Sequence, residues 1–234
     1  ITDVLLATTA VGVTYLLASR TATRISGVIA AAFLAVAFLD VRNARYLAPD
    51  TGLAFFALLT VTLACLAVHR QRLLFVWLAA FAGGLTLTFK WTGLAVIVPV
   101  MLAGIMLTNS GWRPNRRLVT TLLVILALFF VGFALLGPQV LMAPELYAGE
   151  IGNQQAAGSS GGFELWQVDT VIGWVFYAKM LYYGLGLPML LLAAVGLGLH
   201  LFQAFKHRNR ISLVLIAFPV LYYLVMGATT HYFA

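Results

Sequence analysis

The chain has 234 residues, of which 62% are hydrophobic and 9% are charged, whereas about 25% are charged in a typical soluble domain. Fourteen basic and seven acidic side chains are too few to cover a soluble protein of this length, and the mean hydropathy is +1.00. These values exclude a disordered chain and a soluble nucleic-acid binder, despite the net charge of +7. One cysteine also excludes a disulfide scaffold. The composition predicts an integral membrane protein.

Eight continuous apolar segments follow one another along the chain. They lie at about residues 3–19, 25–39, 52–68, 73–89, 94–108, 118–137, 178–203 and 211–229. Because the runs are continuous and lack the alternation of a β-barrel, they predict an all-α, polytopic transmembrane helix bundle of about eight spans. The segments 25–39 and 94–108 are shorter than the roughly 20 residues that a perpendicular span needs.

The charges between the segments predict an orientation. Ten of the fourteen basic residues fall in alternate short loops, and all seven acidic residues fall on the opposite side. The positive-inside rule therefore places the basic loops, including residues 113–117, on the inner side. Both ends of the chain are then predicted to face outward, in a bacterial-type inner or plasma membrane. The chain starts in an apolar segment without Met, so we expect a fragment of a longer protein.

Residues 138–177 are predicted to be a forty-residue outer-side loop within a single transmembrane domain spanning 1–234. The middle of this stretch, AGEIGNQQAAGSSGG, is rich in glycine and serine, and residues 150–162 are predicted to be the least ordered part of the chain. Its second half, FELWQVDTVIGWVFYAKM, is aromatic and mildly amphipathic, which favours a position at the membrane interface.

A few polar residues on the predicted outer side are left unexplained by topology. Arg42, Arg45 and Lys90 lie in two short outer loops; singly, each fits a side chain that snorkels at a helix end. Together they suggest an anionic ligand such as a lipid phosphate, which suits the planar fork of arginine. Asp50 follows Pro49 and opens a helix, so it fits an N-cap as well as a functional carboxylate. The helices 52–68 and 73–89 are joined by the four-residue turn HRQR, so they are predicted to form an antiparallel pair that brings Asp50 and Lys90 close together.

No other pattern indicates a cofactor or a catalytic centre. The sequence has no glycine-rich phosphate loop and no cluster of His, Cys and carboxylates with metal-ligand spacing. A divalent metal ion is compatible with a phosphate ligand, but no ligand cluster supports one. No cofactor is identifiable. The expected partners are membrane lipids and other membrane subunits, not nucleic acid.

Several short motifs occur in an order that resembles a known family. The run VRNARYLAPDTGLAFFALL (41–59) resembles the Ser-Arg-Tyr-x-x-x-Asp segment of polyprenyl-phosphate-dependent, C-type glycosyltransferases of the protein O-mannosyltransferase and aminoarabinose transferase type. AGGLTLTFKWTGL (82–94) resembles their Gly-Leu-Ala-x-x-Thr-Lys-Tyr-Thr-Gly turn, and YYGLGLPMLLLAAVGL (182–197) the helix after their outer loop. The terminal THYFA resembles the start of their Arg-Tyr-Phe-Leu-Pro segment. Ala44 replaces the usual Ser, and His231 the usual Arg.

The resemblance implies a membrane enzyme that moves a sugar from a polyprenyl-phosphate-linked donor to an acceptor hydroxyl at the outer membrane face. By position, Asp50 matches the family's second acid and is the implied catalytic residue. Arg45 and Lys90 match its motif cations and, with Arg42, His231 and Tyr232, are implied in substrate binding. The acid most often taken as catalytic base in these relatives lies on a first outer loop, which with the preceding helix would stand before Ile1.

Two other classes compete with the transferase. A non-catalytic transmembrane structural or assembly subunit with a transferase-like fold is compatible with the missing acid and with His231 in place of Arg. A transporter or flippase for a lipid-linked substrate predicts charged or polar residues inside the spans, and no central span position holds a charge.

Overall fold

A computed structural model describes residues 2–44, 49–108, 115–159 and 173–228, and all regular structure in these ranges is helical. The helices are α1 (Thr2–Thr21), α2 (Arg24–Val36), α3 (Phe38–Asn43), α4 (Pro49–Arg70), α5 (Leu73–Phe89), a 3-10 helix (Trp91–Val96), α6 (Ile97–Thr108), α7 (Arg116–Leu136), α8 (Gln139–Met142), α9 (Pro144–Ser159), α10 (Gly173–Lys206) and α11 (Arg210–Gly227).

The predicted helical bundle is confirmed, and the described residues of the eight apolar segments are mostly helical. Six helices of the described ranges are long and apolar enough to cross a membrane, counting the 3-10 helix and α6 as one, and α2 and α5 are shorter apolar helices. This architecture is compatible with an integral membrane protein. The segment 25–39 is split, because the backbone of Ala37 is extended (φ −64°, ψ 120°) between α2 and α3.

Successive long helices run in opposite directions, so the bundle has two chemically different ends. At one end Thr88 Oγ1 donates a hydrogen bond to the Phe133 carbonyl at 3.3 Å; at the other, Arg210 Nη1 donates to the Met106 carbonyl at 3.3 Å. We call the first the Asp50 end and the second the arginine-rich end. The following arginines and lysine lie at the arginine-rich end: Arg20, Arg24, Arg70, Arg72, Arg116, Arg117, Lys206, Arg208 and Arg210.

The core of the bundle is centred on α4, which packs against α1, α5, α6 and α11. Its buried side chains are small, among them Ala57, Ala64 and Ala67, which lets neighbouring helices approach closely. A small residue also permits the close packing of α5 on α7, because a Cβ on Gly84 would overlap the Phe129 carbonyl. Close approach of these two helices therefore requires glycine at position 84.

Much of the predicted outer-side loop at 138–177 is helical. Helices α8 and α9 occupy Gln139–Met142 and Pro144–Ser159, and α10 begins at Gly173. Pro144 has the backbone that a first helical position needs, and Glu145 in the first turn favours the helix dipole. The Tyr147 ring packs edge-on against Phe133 of α7, with 5.7 Å between centroids; burial there raises the pKa of the Tyr147 phenol. Residues 150–159 are helical, and the rest of the stretch predicted to be least ordered, 160–162, lies outside the described residues.

The long helix α10 is broken at Gly186, which adopts φ 72° and ψ 160°. Only glycine reaches this region without strain, and Pro188 follows two residues later, where its ring would clash with a continuous helix. The predicted span at 178–203 is therefore two helical segments, one before Gly186 and one after it. Trp174 in the first segment donates from Nε1 to the Leu224 carbonyl of α11 at 3.3 Å, which fixes this segment at the Asp50 end.

Candidate functional site

Asp50 and Lys90 form an ion pair at one end of the bundle. Lys90 Nζ lies 2.5 Å from Asp50 Oδ1, and it is the one ion pair among the residues that the structure describes. The two side chains are 39% and 45% exposed, for lysine and aspartate respectively, so a ligand can reach both. The predicted proximity of Asp50 and Lys90 is confirmed; their catalytic and binding roles stay predictions.

Each member of the pair sits where its own helix favours it. Pro49 and Asp50 open α4, and a carboxylate in the first turn is stabilised by the positive end of the helix dipole. Lys90 follows the last residue of α5 with an extended backbone, φ −152° and ψ 141°, where the negative end of the dipole favours a cation. The antiparallel arrangement of α4 and α5 then brings the two charges together.

Packing beneath the pair sets how closely these two helix ends approach. Gly52 of α4 faces the ring of Phe89, the last residue of α5, and a Cβ at position 52 would overlap that ring. Phe89 in turn stacks on Phe56, with 5.7 Å between ring centroids. Gly52 and the two rings therefore hold Asp50 level with Lys90.

The turn after Lys90 connects the pair to α11. The 3-10 helix begins at Trp91, and Thr92 Oγ1 lies 3.5 Å from the Tyr222 hydroxyl. Gly93 is buried against the backbone of Thr86, where a Cβ would come within 2.9 Å of the Thr86 carbonyl. Neither Tyr222 nor Gly52 is among the residues that the sequence predicts for the site. Tyr222 is 130 residues from Thr92, so no local pattern reveals it, whereas Gly52 stands in the motif that contains Asp50.

The other predicted binding residues either are not paired with Asp50 and Lys90 or lie outside the described residues. Arg42 is exposed on α3 at the same end, and within the described ranges it forms no ion pair with Asp50. Arg45, His231 and Tyr232 lie outside the described residues. The structure therefore brings together two of the six predicted site residues, one from each of the two loop motifs.

The chemistry available at the pair is that of one carboxylate and one primary ammonium. The ammonium is a point charge with three donors that suits a phosphate oxygen, and the carboxylate accepts hydrogen bonds or a proton. In the described part of the chain, no group of three or more His, Cys, Asp or Glu side chains is arranged to hold a metal ion.

Comparisons with protein-family models, with curated proteins and with solved structures find no match for this chain.

Proposed function

We propose that this chain is the membrane-embedded part of a glycosyltransferase that moves a sugar from a polyprenyl-phosphate donor to an acceptor hydroxyl at the outer membrane face. The observation that carries the proposal is the Asp50–Lys90 ion pair. It joins the two segments, 41–59 and 82–94, whose sequences resemble C-type glycosyltransferases. It also lies at the end of the bundle opposite the nine described basic residues of the arginine-rich end, which is the outer end if the positive-inside rule holds.

The reaction is a displacement at the anomeric carbon of the sugar. The acceptor oxygen forms a bond to that carbon while the bond from the carbon to the phosphate oxygen breaks, and the lipid phosphate leaves with the electron pair. The acceptor proton goes to a carboxylate acting as general base, a role that we assign within this chain to Asp50. Lys90, with Arg45, stabilises the charge that develops on the phosphate.

Because Asp50 and Lys90 are paired, we propose that Lys90 acts first, by binding the phosphate, and Asp50 second. Without a ligand, Lys90 neutralises Asp50 across 2.5 Å. A phosphate that approaches Lys90 competes for its ammonium protons, because hydrogen bonds between charged groups are strong and directional. The Asp50 carboxylate is then released to accept a hydrogen bond from the acceptor hydroxyl. Donor binding would thus prepare the base.

One observation favours the second candidate, a non-catalytic structural or assembly subunit. Asp50 and Lys90 each satisfy a helix terminus and each other, so the pair is electrostatically complete without a ligand. In a structural subunit, the pair would serve only as a stabilising contact between α4 and α5. Activity measurements on the two residues separate these functions.

The test uses full-length protein in native membranes or proteoliposomes, with a panel of radiolabelled polyprenyl-phosphate hexoses and pentoses. Asp50→Asn and Lys90→Ala are each expected to lower sugar transfer at least about 100-fold, the usual effect of losing a general base or a charge-stabilising group. Lys90→Ala should also weaken binding of the unglycosylated polyprenyl phosphate, whereas Asp50→Asn should not.

Two matched controls accompany these variants. Glu145→Gln removes an exposed carboxylate at the Asp50 end, and Lys206→Ala removes a lysine at the arginine-rich end; both should keep wild-type transfer. Transfer by Asp50→Asn and Lys90→Ala within twofold of wild type, or no transfer by the wild type from any donor of the panel, would contradict the enzyme and favour the structural subunit.

A further inference from the structure

Helix α10 is longer than the hydrocarbon core of a membrane is thick. Its 34 residues extend roughly 50 Å at 1.5 Å per residue, whereas the core is about 30 Å thick. The segment after the break at Gly186, residues 187–206, extends roughly 30 Å by itself and is therefore long enough to cross. The first segment, residues 173–185, is not needed for the crossing.

Contacts between α10 and α11 give the height of Gly186 above the arginine-rich end. His200 Nδ1 of the second segment lies 3.0 Å from Ser212 Oγ of α11, so the two antiparallel helices are level at this contact. From there the second segment rises roughly 21 Å to Gly186, and α11 rises roughly 18 Å to Leu224. Gly186 and Leu224 therefore lie at similar heights.

The other end of the first segment lies at that height as well. Trp174 Nε1 donates to the Leu224 carbonyl at 3.3 Å, and the Tyr223 hydroxyl donates to the Trp174 carbonyl at 2.7 Å. Roughly 18 Å of helix separates Trp174 from Gly186, yet both lie level with Leu224. The first segment therefore runs nearly parallel to the membrane plane, across the Asp50 end.

The first segment has one face that packs on the bundle and two exposed flanks. The packed face contains the buried residues Gly173, Phe176 and Gly184. At 3.6 residues per turn, the flank on one side of this face is apolar and contains Trp174, Leu181 and Leu185. Trp174 and Leu181 are 45% and 42% exposed, so this flank faces away from the bundle.

The opposite flank is polar. Lys179 and Tyr183 are four residues apart and therefore lie on the same side of the helix. Both are exposed, Tyr183 at 70%, and Lys179 forms no ion pair with another described side chain. A helix in the plane of a membrane interface needs these two flanks, one with tryptophan and leucine toward the hydrocarbon and one with lysine toward the headgroups.

We infer that the first segment of α10 is an interfacial helix that docks on the phosphate layer of one leaflet. Lys179 and Tyr183 bind lipid phosphates, and the flank of Trp174, Leu181 and Leu185 inserts beneath them. The lysine ammonium has the charge that complements a phosphate, and both side chains donate hydrogen bonds to its oxygens. This docking is independent of the proposed sugar transfer.

The docked segment also sets the depth of the Asp50–Lys90 pair. The Tyr222 hydroxyl lies 3.5 Å from Oγ1 of Thr92, in the turn that follows Lys90. Tyr222 is within one helical turn of Leu224, which contacts the first segment. The turn after Lys90 and the first segment are therefore level to within roughly 5 Å, and the ion pair lies at the depth of the lipid phosphates.

The test measures the depth of nitroxide spin labels on full-length protein in vesicles of phosphatidylcholine and phosphatidylglycerol. Electron paramagnetic resonance compares collisions with oxygen, which concentrates in the hydrocarbon, and with a water-soluble nickel chelate. Labels on Ala178→Cys and Leu185→Cys, seven residues apart on the first segment, should lie at the same depth within about 3 Å. In a helix that crosses the membrane, that spacing gives a difference of roughly 10 Å.

The second segment supplies the matched control. Leu187 and Ala194 are exposed and are also seven residues apart, so labels there should differ in depth by roughly 10 Å. The two flanks are compared at Leu181→Cys and Tyr183→Cys. The label at position 181 should collide more with oxygen, and the label at position 183 more with the nickel chelate. The native Cys65 is buried and does not take up the label.

Charge reversal tests the phosphate contact. Lys179→Glu should lower the oxygen-to-nickel collision ratio of the label at position 181 at least about twofold, because one basic group near an anionic surface shifts such an equilibrium roughly fivefold. Lys206→Glu, at the arginine-rich end, should leave that ratio unchanged. If Lys179→Glu fails to fold, as judged by circular dichroism, Lys179→Gln takes its place. The inference is wrong if the labels at 178 and 185 differ in depth by roughly 10 Å, if the label at 183 collides mainly with oxygen, or if removing the Lys179 charge changes nothing.

Discussion

Asp50 and Lys90 occupy positions that their own helices favour, and they gain a partner in addition. Because both side chains are more than a third exposed, water screens the attraction between them, and surface ion pairs contribute about 0–1 kcal/mol to stability. The pair is therefore worth little as a stabilising contact. The pair is evidence for a functional site because it joins the segments 41–59 and 82–94, and not because of its energy.

We expect a double-mutant cycle on Asp50→Asn and Lys90→Ala to give a coupling free energy of about 0.2–1 kcal/mol. The measurement is reversible unfolding in mixed micelles, with the double variant included. A coupling above about 3 kcal/mol would show that the pair mainly stabilises the fold. It would contradict the proposal that phosphate binding releases Asp50.

Gly52 is the residue whose substitution should disturb the pair without touching either charge. Gly52→Ala places a methyl group in the Phe89 ring, so we expect a loss of about 1–3 kcal/mol in stability, as for other overpacked cores. The control is Gly12→Ala in α1, where no heavy atom lies within 4 Å of the added Cβ. That variant should be neutral or gain about 0.5–1 kcal/mol. Equal effects of the two substitutions would refute the close packing of α4 on α5.

At the scale of elements, α10 shows how a backbone requirement overrides hydropathy. Its sequence is uniformly apolar enough for one span, yet Gly186 and Pro188 divide it. Glycine at φ 72° is unstrained, and proline after it lacks the amide proton that a continuous helix would use. Periodicity cannot reveal this break, because apolar residues continue on both sides of it.

Gly186→Ala and Gly198→Ala are expected to have opposite effects on stability. Alanine at a positive φ is strained, so Gly186→Ala should cost about 1 kcal/mol or more. Gly198 lies in regular helix with open space at its Cβ, so Gly198→Ala should stabilise by about 0.5–1 kcal/mol. Thermal unfolding of both variants in the same detergent provides the comparison, and a stabilising Gly186→Ala would mean that α10 is continuous.

The α9 helix shows a contact that composition could not predict. Glycine and serine in AGEIGNQQAAGSSGG predicted that residues 150–162 are the least ordered part of the chain, because these residues lose the most conformational entropy on ordering. The structure is helical to Ser159, and the contact of Tyr147 with Phe133 ties its beginning to α7. The two rings belong to different helices, so the sequence of α9 alone cannot predict this contact.

At the scale of the whole molecule, the two ends of the bundle differ in charge. The described side chains of the acidic residues Asp3, Asp50 and Glu145 lie at the Asp50 end, and nine basic residues lie at the other. Because lysine and arginine are retained on the cytoplasmic side, this asymmetry predicts which end faces outward. The helix directions agree with the alternation that the sequence predicted, while the choice of side remains a prediction.

Single cysteines at positions 115 and 145 test the orientation. Asn115 and Glu145 are exposed at opposite ends of α7 and its continuation, and the native Cys65 is buried. A membrane-impermeant maleimide added from outside should label Glu145→Cys and leave Asn115→Cys unlabelled until the membrane is permeabilised. Labelling at position 115 from the outer side would reverse the orientation, and with it the location of the proposed reaction.

The sequence by itself determined the class of architecture, the number of apolar segments and the proximity of Asp50 to Lys90. It could do so because membrane length requirements and the short α4–α5 turn leave few alternatives. Only the tertiary structure decided that Gly52 packs against Phe89 and that Thr92 approaches Tyr222. These features arise where side chains distant in sequence meet, and periodicity within one helix contains no information about its neighbours.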